Sequence, residues 1–189
     1  MENLELLKSN GLLTLQLRSK SINNWNEFLS YIRNLPYGRT SNRTDLGTVI
    51  KENKGTCSSK HALVKKVADE NKINGVELIM CIYKMNSMNT PGIGGEIANN
   101  NLTYIPEAHC YIKIKDRKID LTSLKSDLSR IKNDVLNEVA IKPFQVGKYK
   151  VDYHKKYIKE WISENSLSVT FDEIWSIREK CIKNLENKK

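Results

Sequence analysis

The stretch from Val76 to Met85, VELIMCIYKM, constrains the fold more than any other. It is dense in β-formers and predicts a buried strand, and such a strand needs partner strands and a covering layer. The partners are predicted downstream. His109 to Ile114 (HCYIKI) alternates, Asp116-Arg117 signals a turn, and Lys118 to Thr122 (KIDLT) follows as the second arm of a hairpin. Helical patterns stand on either side. Trp25, Phe28, Leu29 and Ile32 share helical spacing, and that helix must stop near Leu35 because Pro36 disfavours the α conformation of its predecessor. From Ser58 to Asn71, Ala62, Leu63, Val64 and Val67 mark one face of a second helix, and Asn74-Gly75 punctuates it. The polar segment Tyr37 to Asn53 between these two helices reads as irregular. Further helices are predicted at Ser126–Asn137, Tyr153–Asn165 and Phe171–Leu185, the last opened by a capping box, Thr170-x-x-Glu173. Helices, then antiparallel strands, then helices again predict an α+β fold. With no low-complexity linker and no internal repeat, residues 1–189 read as one domain.

Several function classes recede on the same reading. The longest unbroken apolar run, Leu78 to Tyr83, is far too short to span a bilayer. Glu2 and Glu5 stand where a signal peptide would be basic, so a cytoplasmic protein with no membrane partner is expected. The formal charge of +9 invites a nucleic-acid reading, but the lysines are interleaved with Glu and Asp as on a solvated helix face. No RGG segment, RNP-like aromatic motif or zinc knuckle accompanies them, so nucleic acid is the minority expectation. The four cysteines, at 57, 81, 110 and 181, form no CxxC pair and the three histidines are scattered, so neither a disulfide framework nor a metal site is expected.

One stretch carries chemistry. In GTCSSKHAL, Cys57 follows a glycine and sits where Thr56 would cap a helix. Unpaired N–H groups and the macrodipole at a helix N-terminus favour an anion, and a thiol is a good nucleophile only as the thiolate. An imidazole would complete the activation. His61 is the local candidate, one helical turn on, but side chains tilt back toward the helix start and would lay it alongside the helix. It reads as a partly exposed helical histidine. His109 is the remote candidate, with Asp120 on the partner strand to hold its tautomer. A two-residue loop at Asp116-Arg117 would leave the two far out of register. A four-residue loop, Ile114 to Arg117, would set Asp120 opposite Tyr111, diagonal to His109. Glu107, two residues before His109, is a rival orienter, and spacing alone leaves the catalytic and structural readings side by side.

The segments GTCSSKHALV, EAHCYIKI and KIDLTS, in the order Cys, His, Asp, resemble the transglutaminase-like superfamily. LPYGRTSNR before them and FDEIWSIREKCI near the C-terminus look like bacterial members of similar size, so the resemblance covers most of the chain. It implies a papain-like cysteine protease fold: a catalytic cysteine at a helix N-terminus packed on an antiparallel sheet, here with extra N- and C-terminal helices. It implies Cys57 as nucleophile, His109 as general base and then acid, and Asp120 as orienter. The oxyanion would be met by the backbone N–H of Cys57 and a side chain from the polar loop 37–45, with Asn42 the candidate. No metal or other cofactor is implied. The substrate would be a peptide, protein or small amide, and the reaction acyl transfer to water or an amine. Two positions depart from the family pattern: Ser58, where many members carry an aromatic residue, and Cys110-Tyr111, where many carry Ala-Trp or a similar pair. The competing expectation is a catalytically silent transglutaminase-like domain acting as a binding or scaffold module. The glycine-bearing loop from Asn86 to Asn101 is read either as a lid or as a plain surface connection.

Overall fold

Capping residues set where the helices begin. Asn24 and Glu27 exchange side-chain and backbone hydrogen bonds that start α2 (Trp25–Asn34), Thr56 and Ser59 do the same for α4 (Cys57–Glu70), and Thr170 and Glu173 for α6 (Phe171–Glu186). Leu35 takes an extended conformation before Pro36 and ends α2. The structure, a computed structural model, describes residues 5–187. Part of the N-terminal stretch read above as lacking a signal, Glu2 included, lies outside the described residues.

The class is α+β, with six α-helices among the described residues and a four-stranded antiparallel sheet. The remaining helices are α1 (Leu12–Arg18), α3 (Gly47–Glu52) and α5 (Lys148–Glu164). The strands are β1 (Val76–Met85), β2 (Ile105–Ile114), β3 (Arg117–Ile119) and β4 (Val135–Ile141), in the order β3-β2-β1-β4. β1 has the bounds read from the sequence and is buried along most of its length. No described helix is long and apolar enough to cross a membrane.

β2 and β3 pair antiparallel with Lys113 opposite Lys118, the register expected for the hairpin. The loop is tighter than expected, because pairing continues to Ile114 and Arg117. Only Lys115 and Asp116 remain to reverse the chain, with Lys115 at φ 53°. β3 ends at Ile119, so Asp120 lies just beyond the ladder, one step past the Ile112–Ile119 pair.

Two expectations are corrected. The segment read as a helix at Ser126–Asn137 forms a short 3-10 turn, Leu128–Arg130, and then enters β4. Asp127 accepts from Ser129 N–H and closes that turn, while Val135, Val139 and Ile141 are β-branched and favour the pleated backbone. The segment read as irregular, Tyr37 to Asn53, contains α3, whose Val49 and Ile50 are buried and whose start is held by Asp45 accepting from Gly47 N–H.

The chain, read as one domain, groups into two compact units made of interleaved segments, with β1 and β2 each divided between them. The first comprises the described residues up to Ile79, Cys110–Ser126 and Ala140–Val146. Here α4 packs against α1, α2, α3 and the 3-10 turn Pro143–Val146, burying Leu17, Phe28, Ile32, Ile50, Leu63 and Val67. The second comprises Met80–His109, Asp127–Val139 and the described residues from Gly147 onward. In it α5 and α6 pack together, and Ile158, Ile174 and Cys181 are buried with Met80 and Ile105.

Candidate functional site

Cys57 is the first residue of α4, where the main-chain N–H groups have no intrahelical partner. It is partly exposed, whereas Cys81, Cys110 and Cys181 are buried. Its sulfur lies 3.8 Å from Ser58 Oγ. Burial pushes the Cys181 thiol up to about 11, with the Glu96 and Glu107 charges adding to the effect. Of the four thiols, Cys57 is the one with both solvent access and a helix N-terminus.

His61 is fully buried rather than partly exposed, and both ring nitrogens are committed to main-chain groups. Leu121 N–H donates to Nε2 at 2.7 Å, so that nitrogen carries the lone pair. The proton therefore sits on Nδ1, which donates to Cys57 O at 2.7 Å. The ring is a neutral strut between the first turn of α4 and the segment after β3. Asp120 Oδ1 stands 3.7 Å from Nε2, too far to displace the Leu121 bond.

Asp120 is nearly buried, its side chain 9% exposed. Oδ1 accepts from Thr122 N–H at 2.8 Å, and its main-chain oxygen accepts from Arg33 Nη2 of α2 at 3.3 Å. Lys60 completes this corner. It is fully buried, and its Nζ donates to Leu35 O at 2.5 Å and to Thr122 O at 2.7 Å. Burial lowers its ammonium from 10.5 to about 8, and the Asp120 and Cys57 charges pull the other way. Cys57 and Asp120 thus lie in one unit with Lys60, Cys57 three residues before it on α4 and Asp120 two residues before the Thr122 carbonyl that its Nζ reaches.

Gly55 leaves room for the Lys60 stem. Its N–H donates to Pro36 O and its carbonyl accepts from Gly38 N–H, which fixes the chain entering α4. A Cβ there would lie 2.8 Å from Lys60 Cγ and 3.0 Å from Ser59 Oγ. The Lys60 stem is pinned at its far end and cannot swing aside, so Gly55→Ala should cost about 1–3 kcal/mol through overpacking. Chemical denaturation measures it; an unchanged midpoint would show that the Lys60 corner yields freely.

Asn42 belongs to the same unit but is exposed. Its Oδ1 accepts from Thr44 N–H and Thr44 Oγ1, and its carbonyl accepts from Thr48 Oγ1, so it shapes the turn that leads into α3.

His109 belongs to the second unit, partly exposed on β2, with its ring edge-on to Tyr83 at a centroid distance of 6.2 Å. The three residues before it are each held by a helix side chain. His154 Nε2 donates to Pro106 O at 2.8 Å, Lys150 Nζ donates to Ala108 O at 2.7 Å, and Arg178 grips Glu107 through Nε and Nη2 at 2.7 and 2.6 Å. Burial alone would raise the Glu107 carboxyl, but Arg178, His154 and Lys150 bring it down to about 2. Burial lowers His154 to about 4, so the ring is neutral near pH 7. Glu107, the rival orienter, has both oxygens engaged by Arg178.

The loop after β1 is packed rather than loose. Ile93 and Ile97 are buried, Asn89 Nδ2 donates to Asp134 Oδ2 at 2.8 Å, and Asn184 of α6 donates to Ile93 O at 2.9 Å. This favours the surface connection over the lid. A hollow of about 560 Å³ lies between this loop and the end of α6, lined by Ser87, Gly92, Gly94, Asn184 and Asn187, and none of the described side chains lining it is ionisable.

Lys60 and the Glu107–Arg178 pair were not singled out from the sequence. For Lys60 one signal was present: the first two turns of α4 carry apolar or small residues around it, so a lysine there has few routes to water. Among the described residues no three His, Cys, Asp or Glu side chains are grouped to hold a metal ion. The chain matches no protein-family model, and neither the curated proteins nor the solved structures include a match.

Proposed function

We propose that the protein is a transglutaminase-like, cysteine-dependent acyl transferase or hydrolase acting on an amide bond of a peptide, protein or small molecule. Cys57 is the nucleophile, His109 its base and Asp120 the residue that orients His109. The observation that carries this reading is the setting of Cys57: a partly exposed thiol in the first turn of a capped helix, in the same unit as Asp120. His61, with both nitrogens committed, leaves the base to come from elsewhere. Glu107, committed to Arg178, leaves Asp120 as orienter.

In this mechanism the Cys57 thiolate attacks the amide carbonyl carbon and the C–N bond breaks. His109, protonated when the thiol ionised, gives that proton to the leaving amine. Water or a second amine attacks the thioester, His109 takes its proton, and the acid or new amide leaves as the thiol is restored. Negative charge on the carbonyl oxygen meets the Cys57 N–H, with the Asn42 amide as the second candidate donor. The sheet is that of an α+β protein; the papain-like arrangement is part of the proposal.

Limited iodoacetamide near pH 7 tests the first step. Cys57 should be labelled well ahead of Cys81, Cys110 and Cys181, as mapped by peptide mass. Labelling no faster than a free thiol would favour the silent binding module.

A further inference from the structure

A lysine buried without a carboxylate in contact is costly unless its protons are satisfied and its charge is used. Lys60 places two of its three N–H donors on main-chain carbonyls distant in sequence: Leu35 at the end of α2 and Thr122 beyond β3. The contacts at 2.5 and 2.7 Å and the cleared space over Gly55 fix the ammonium in place. The titratable groups placed near it are Cys57, one helical turn earlier on α4, and Asp120, two residues before the Thr122 carbonyl that its Nζ reaches; burial lowers the ammonium and their charges oppose that. From α2, Arg33 turns its guanidinium to Asp120 O, and from α3 it is the apolar Val49 that approaches Gly55. His61, the next residue, is neutral by its hydrogen bonds.

We propose that Lys60 is a positioning residue of the Cys57 site: its ammonium ties the end of α2 to the segment carrying Asp120 and holds a fixed positive charge beside Cys57 and Asp120. The inference rests on Cys57 being the nucleophile. A neutral side chain of similar length would keep the packing but lose both the strut and the charge. Lysine suits the position because a compact ammonium satisfies two carbonyls from a thin stem, whereas a planar guanidinium needs more room.

Charge linkage is reciprocal: if Lys60 stabilises the Cys57 thiolate, the thiolate raises the Lys60 ammonium equally. Protein labelled with ¹⁵N at the lysine side chains is titrated by NMR as wild type and as Cys57→Ser, which keeps the shape of the site. The Lys60 midpoint should be lower in Cys57→Ser by about one pH unit, the scale of a neighbouring opposite charge. Lys60→Met should raise the midpoint of the pH profile for Cys57 alkylation by a similar amount. Equal Lys60 midpoints in wild type and Cys57→Ser overturn the proposal, and that arm does not depend on Lys60→Met folding. His109→Ala separates this inference from the functional reading. A Lys60 shift with no effect of His109→Ala on the alkylation profile keeps Lys60 and removes His109 as base; the reverse keeps the base and removes Lys60.

Discussion

Glu107→Gln should destabilise the fold by about 3–5 kcal/mol, the scale of breaking a buried ion pair by removing one partner. The carboxylate accepts two guanidinium hydrogen bonds from Arg178, and both residues are buried in the second unit. A glutamine keeps the shape but presents an N–H₂ where Arg178 needs an acceptor, and the guanidinium is left with Glu179 and the Trp175 ring. Replacing both partners by apolar residues, Glu107→Leu with Arg178→Met, should recover much of that loss, because the uncompensated charge is then gone. Chemical denaturation of the two single variants and the double variant measures the coupling. A cost below about 1 kcal/mol for Glu107→Gln, the range of exposed pairs, would mean that the pair is solvated.

The same cluster sets an acid limit. His154 is lowered from an ordinary 6.5 to about 4, chiefly by burial. As pH falls below 6.5 the unfolded chain takes up this proton while the folded chain does not, so stability is lost from there down to about 4. Glu107, lowered from 4.5 to about 2, extends the loss below 4.5 for the same reason. The melting temperature should therefore fall steadily from pH 7 to pH 3, and His154→Gln should flatten the upper part of that fall. A melting temperature unchanged between pH 6.5 and pH 4.5 would contradict the buried, neutral state of His154.

What was legible in the sequence was local. The β-former density of Val76 to Met85, the caps at Thr56 and Thr170, and the Leu35-Pro36 stop each act within a few residues, and each stands where expected. Hairpin parity was legible too: the expected register formed, with one more pair closing its end. β4 was missed because Leu128 to Ile141 mixes a capped turn with a mostly exposed strand whose residues show little alternation of burial. His61 was set aside as the base, but its full burial was invisible, since the donor to Nε2 comes from Leu121 on another segment. Lys60 reads as surface by type, and only its distant carbonyl partners explain its burial. Glu107 and Arg178 were equally unconnected until α6 was laid against β2.

The second large effect concerns reactivity at Cys57. If His109 takes the thiol proton, His109→Ala should slow amide turnover by about 10²–10⁴-fold, the usual contribution of a positioned general acid–base. If Asp120 orients that ring, Asp120→Asn should slow turnover too, by releasing it. His61→Ala serves as the control, expected to cost stability through its two main-chain bonds rather than reactivity.

The most direct measurement is the pH profile of Cys57 alkylation in wild type, His109→Ala and His61→Ala. A thiol paired with His109 should react with a midpoint well below the ordinary thiol value of about 8.5. That midpoint should move up toward the ordinary value in His109→Ala and stay in place in folded His61→Ala. An ordinary midpoint in wild type, or one that His109→Ala leaves untouched, would contradict the triad.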